Sequence, residues 1–148
     1  MSAITILDHA PIGAVIEWSN GLPRPPEHHV DALFDWRRDN SRGILIHKHG
    51  DSASGHYSRL PHFTVRDGNT NQVFLVDSPY YFRVISRPKV GSVRIFGDGH
   101  PNPVLFHLVE NRADANAWLV CRALPPTVVL SEVEADEVAA DHVEGRAA

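Results

Sequence analysis

Short segments in which apolar residues alternate with polar ones, or form brief β-branched and aromatic runs, recur from Gly43 to Leu124. They are Ile44 to His49, His62 to Arg66, Gln72 to Asp77, Tyr81 to Arg87, Ser92 to Phe96, Val104 to Val109 and Ala117 to Arg122. A period of two over such lengths predicts strands. The separators carry turn chemistry: Asp67-Gly68-Asn69, Ser78-Pro79, Pro88-Lys89, Gly97-Asp98-Gly99 and the polar run Asn111 to Asn116. No second helix is expected in this stretch. Upstream, Ile12 to Trp18 reads as a further strand closed by Ser19-Asn20-Gly21.

A period near 3.6 occurs once with strength. After the stiff connector Leu22-Pro23-Arg24-Pro25-Pro26, residues Val30, Leu33, Phe34 and Arg37 fall at i, i+3, i+4 and i+7, with Ala32 and Trp36 widening the stripe. This predicts an amphipathic helix from about Glu27 to Arg38, one face packed and the other charged. The predicted fold class is mainly β (α+β by count): a curled antiparallel sheet, sandwich or small barrel with one N-terminal amphipathic helix. Parallel units are excluded by the lack of crossover helices. Residues 1–124 form one β-rich domain in this reading, and 125–148 an acidic C-terminal tail. In the tail, Thr127 to Leu130 fits an edge strand and Ser131-Glu132-Val133-Glu134 opens a weak helix. Val133, Val138 and Val143 recur every five residues and give that helix no continuous face, so the alternative for the tail is disorder.

Charge changes this picture in one respect. Of a net charge of −4, residues 131–148 contribute six acids against Arg146, or −5, which leaves the body at +1. A near-neutral body argues against a dedicated nucleic-acid binder. No apolar run approaches the roughly 20 residues that span a bilayer. The N-terminal segment lacks the basic and apolar regions of a secretory signal, so a cytoplasmic location is expected. Cys121 is the single cysteine, which excludes an intramolecular disulfide and a cysteine-ligated zinc ribbon. Its apolar surroundings, Trp118-Leu119-Val120-Cys121, suit a core residue.

Any metal would therefore need histidine or carboxylate ligands. On the strand Ile44 to His49, alternation places His47 and His49 on one face, together with Leu45. A third ligand would come from His56 or His62, or from His100 or His107 further on, completing a three-histidine site for Zn, Fe or Mn. Such a metal would acidify a bound water or polarise a carbonyl. The His47-Lys48-His49 pair resembles the opening of the cupin motif, and His107 to Asn111 its His-x3-Asn element. The chain departs from that pattern in having no glutamate between His49 and Glu110. It also carries Asn102 and Val104 where the motif has proline and glycine, and it is not assigned to that family.

Arg66, Arg83, Arg87, Lys89 and Arg94 are interleaved with Tyr80, Tyr81 and Phe82 on successive predicted strands. If their outward faces align, Arg66, Tyr81, Arg83, Arg87, Lys89 and Arg94 make a positive, aromatic-flanked surface. That surface would suit an acidic protein partner or single-stranded nucleic acid. No complete catalytic constellation is visible. The expected function is that of a small cytoplasmic, non-catalytic protein-binding factor, accessory or inhibitory, without a cofactor. The partner is another protein, with a homo-oligomer as one form. Alternatives are a cupin-like metal-dependent enzyme and a single-stranded nucleic-acid-binding β domain.

Overall fold

The computed structural model describes residues 1–50, 60–97, 102–122 and 128–137. Its architecture is mainly β, built as two antiparallel sheets that do not close into a barrel. The first sheet has the order β4-β3-β2-β1-β5, from β1 (Val15–Ser19), β2 (Ser41–His49), β3 (His62–Asp67), β4 (Thr70–Leu75) and β5 (Tyr81–Ser86). The second has the order β7-β6-β8, from β6 (Val93–Phe96), β7 (Leu105–Val109) and β8 (Val129–Glu132).

The strands fall where alternation predicts them, with shifts of a few residues at their ends. Their inward positions explain the core of the first sheet. Ile16 and Trp18 of β1, Leu45 of β2, Phe63 and Val65 of β3, Phe74 of β4 and Phe82 of β5 are buried together. Trp18, Phe63, Phe74, Tyr80 and Phe82 meet as tilted and edge-to-face rings, for example Phe74 against Phe82 at 5.1 Å and 84°. Such pairs add about 0.5–1.5 kcal/mol beyond the area they bury. Phe82 is thus a core residue with Tyr80 packed half-buried against it, and only Tyr81 of that aromatic run is exposed.

Helix α1 (Ala3–His9) covers this core, which the sequence reading did not anticipate. Ala3, Ile6 and Ala10 are fully buried, with Leu7 beside them, a spacing of three to four residues that seats one helical face on the sheet. Met1 pairs with the edge strand β5, its ammonium donating to the Phe82 carbonyl at 2.8 Å and its own carbonyl accepting from Phe82 N at 2.9 Å.

Helix α2 (Val30–Asp39) starts three residues after its predicted beginning. Its C-terminal end is fastened to β1. Trp18 Nε1 donates to the Arg38 carbonyl at 2.9 Å, and the Asn40 side chain accepts from Ser19 Oγ and donates to Asn20 Oδ1 and the Trp36 carbonyl.

The segment Ala117 to Arg122, predicted as a strand, is instead the end of helix α3 (Arg112–Val120). Asn111 caps it, its side chain accepting from Asp114 N at 2.8 Å. Ala115, Trp118 and Leu119 fall at i, i+3 and i+4 and pack on Val93 and Ile95 of β6. The polar run Asn111 to Asn116 is a capped first turn, and Cys121, expected in the core, is the exposed residue that ends the helix.

Side chains of β2 and β3 join the sheets. Ile46 packs with Phe96 and Leu105, and Arg66 of β3 donates to the carbonyls of Leu105 at 2.6 Å and Phe106 at 3.0 Å. β8 completes the second sheet as an edge strand, with Val133 buried just beyond it and residues 135–137 beginning a further helical turn.

Candidate functional site

The histidines are positioned by an irregularity in β2. Leu45 pairs with Val65 and His47 with the next residue along β3, Thr64, so Ile46 is an extra residue, a β-bulge. Unbroken alternation would put His47 on the face of Leu45. The bulge moves His47 and His49 to the opposite face, away from the aromatic core, while Lys48 turns inward and donates to the Ala10 carbonyl at 2.6 Å. The shared face with Leu45 expected from the sequence is corrected by this single inserted residue.

His62 meets the pair on that outer face. It lies directly across from His49 in the β2–β3 register, and the rings of His49 and His62 stack at 5.0 Å and 26°. His47 stands 5.9 Å from His62 and 6.5 Å from His49, ring centre to ring centre. Asn102 Nδ2 lies 3.3 Å from His49 Nδ1, and His62 Nδ1 donates to the Leu60 carbonyl at 3.2 Å. Three imidazoles therefore share one patch, yet the rings of His49 and His62 lie face to face. Among the described residues no three histidine, cysteine, aspartate or glutamate side chains are arranged to hold a metal ion. His107 is not part of the group: it lies on β7, stacked at 5.3 Å on Trp118, whose ring also carries the Arg122 guanidinium at 4.7 Å. His56 and His100 lie outside the described residues.

Burial pushes the His47 imidazole below the usual histidine range, and the neighbouring charges of His62 and His49 push it the same way, against a hydrogen bond with the Asn102 backbone. Burial also lowers His107, assisted by Arg122 and Arg66. The unfolded chain then takes up these protons first, at an ordinary value of about 6.5. The stability that keeps His47 neutral is fully present above that value and declines as pH falls below it. The denaturant midpoint is expected to drop between about pH 7.5 and about pH 5.5, and the drop should be smaller in His47→Gln. An equal drop in both proteins would show that His47 is not among the groups responsible.

The basic residues do not form one surface. Arg66 and Arg83 sit on β3 and β5 with two strands between them, and Arg94 is in the other sheet. Arg66 is committed to the carbonyls of β7, and Arg83 pairs with Glu17 at 2.9 Å. Arg94 is only 8% exposed and pairs with Glu137, which ties the residues after β8 to β6. Tyr81, Arg83, Arg87 and Lys89 remain exposed along β5 and the turn after it, without Arg66 and Arg94 to extend them. The continuous stripe expected for single-stranded nucleic acid is not assembled.

A different surface emerges on α2. Of the stripe Val30, Leu33 and Phe34, only Leu33 is buried; Val30 is 71% and Phe34 72% exposed. The expected packed face is therefore reduced to one residue. The helix is held by hydrogen bonds at its C-terminal end, and by Trp36 Nε1 donating to the Leu22 carbonyl at 2.9 Å, and among the described residues nothing buries Val30 and Phe34. At about 100° per residue, Val30, Asp31, Phe34, Arg37 and Arg38 span an arc of about 120° centred on Phe34 and beginning beside Leu33, and all five are exposed. Sequence patterning locates these residues but does not say which way they point.

Residues 1–137 match the model of a family described as "Uncharacterised conserved protein UCP036055". No curated protein and no solved structure matches the chain. Among the described residues no helix is long and apolar enough to cross a membrane.

Proposed function

This chain belongs to that uncharacterised family, and we propose that it is a non-catalytic protein-binding factor that presents α2 to its partner. The observation that carries this reading is the exposure of Val30 and Phe34, one turn apart on a helix that buries only Leu33. Single exposed apolar residues are ordinary on protein surfaces. A valine and a phenylalanine at i and i+4, on a helix fastened at one end, form the pair of anchors by which an amphipathic helix is read in a groove. Covering each would contribute about 1.5–3 kcal/mol.

Binding is tested by recovering tagged protein from the cells that carry it, alongside Phe34→Asp and Arg83→Ala. A retained protein should persist with Arg83→Ala and be lost with Phe34→Asp, whose purified form should bind it about 30-fold more weakly, as for a central aromatic anchor worth about 2 kcal/mol. Equal retention by Phe34→Asp would refute α2 as the contact surface.

A further inference from the structure

We infer that the occupant of α2 is a second copy of this chain, in an antiparallel, two-fold pairing of α2 with α2. This rests on the reading of α2 as a docking surface and goes past it in naming the partner.

The charges flanking the apolar pair are ordered along the helix. Asp31 lies in the first turn, and Arg37 and Arg38 in the last. Among the described residues Asp31 and Arg37 form no ion pair, whereas Arg38 is engaged by Asp35 at 3.7 Å and Asp39 at 3.3 Å. A two-fold axis passing beside Phe34 sets the Phe34 rings of the two copies against each other. Three residues to either side, Asp31 of each copy then meets Arg37 of the other. Both ion pairs form at once because a two-fold contact is reciprocal. Val30 faces Arg38 of the second copy, whose aliphatic stem is able to cover it.

A parallel pairing would oppose Asp31 to Asp31 and Arg37 to Arg37. A partner of uniform charge would satisfy one end of α2 and repel the other. Of these, the antiparallel copy matches both ends, and it also sets the helix dipoles in opposition. Two ten-residue helices cover less than the ~800 Å² per partner of a standard interface. The dimer is therefore weak and forms as concentration rises.

Sedimentation equilibrium of the full chain from about 10 µM to about 1 mM is the deciding measurement. The mass should climb from 16.4 kDa towards twice that value. Asp31→Arg and Arg37→Asp should each remain monomeric, because each opposes like charges at both contacts. An equimolar mixture of the two should dimerise again, since every contact between unlike variants is an opposite-charge pair. Far-UV circular dichroism establishes that both variants keep the native helix and sheet content. Wild-type protein that stays monomeric throughout overturns the second copy as occupant, and so does a mixture that fails to recover association. Loss of a different protein on Phe34→Asp, with wild type monomeric, would refute the second copy while leaving α2 as a docking surface. Loss of neither would remove both.

Discussion

Trp18→Ala is expected to destabilise the protein by about 3–5 kcal/mol, the cost of removing a large aromatic side chain from a close-packed core. Trp18 is 1% exposed, with Phe74 at 5.2 Å and the rest of the aromatic cluster behind it. Truncation leaves a cavity that the surrounding rings, already packed edge to face, fill only in part. The same substitution removes the indole N–H that Arg38's carbonyl accepts at the end of α2. Trp18→Phe separates the two losses: it keeps most of the volume, drops the hydrogen bond and should cost about 1 kcal/mol for that bond together with a small packing deficit. Urea denaturation reads both, as a fall in midpoint at unchanged slope. A Trp18→Ala midpoint within error of wild type would contradict the burial and the contact with Phe74.

Ile46→Ala is expected to cost about 2–5 kcal/mol, and Ile46→Val about 0.5–1.5 kcal/mol. Ile46 is the inserted residue of the β2 bulge, and its side chain is buried between the sheets against Phe96 and Leu105. Its loss removes one of the contacts that join them; another, from Arg66 to the carbonyls of Leu105 and Phe106, remains. Amide exchange should therefore quicken most in β6 and β7, with protection in β1 to β3 less affected. Uniform acceleration across both sheets would show that Ile46 supports the whole molecule and not the junction.

The strands and α2 are legible in the sequence because alternation and 3.6-residue spacing are local properties. The helices α1 and α3 carry the same kind of signal, in Ala3, Ile6, Leu7 and Ala10 and in Ala115, Trp118 and Leu119. Small alanines weaken the apolar contrast, and the polar Asn111 to Asn116 run imitates a turn when it is in fact a cap and first helical turn. The histidine site was legible as to residue type and not as to face. The bulge at Ile46 is set by what lies across the sheet, Val65 and Thr64 on one side and Phe96 and Leu105 on the other. The approach of His62 to His49 likewise depends on the β2–β3 register, with nine residues between them outside the described set. The basic residues look like neighbours because they are close in sequence; the strand order places β2 and β1 between β3 and β5 and sends Arg94 into a separate sheet. The apolar stripe of α2 was visible, but whether anything covers a stripe is decided by distant parts of the chain.

The strand order also carries a consequence for biosynthesis. Every strand of the first sheet, together with α1, lies within residues 1–86, whereas β6 is buried at all four positions and has β8 as one neighbour. At the roughly 5–20 residues per second of translation, the interval between Ser86 and Glu132, the ends of β5 and β8, lasts about 2–9 s. During it the first sheet is able to assemble and β7 to pair with one edge of β6, while the other edge of β6 stays open until β8 is made. The second sheet is thus the later of the two to close, and its last strand covers the edge of β6 that β7 leaves open.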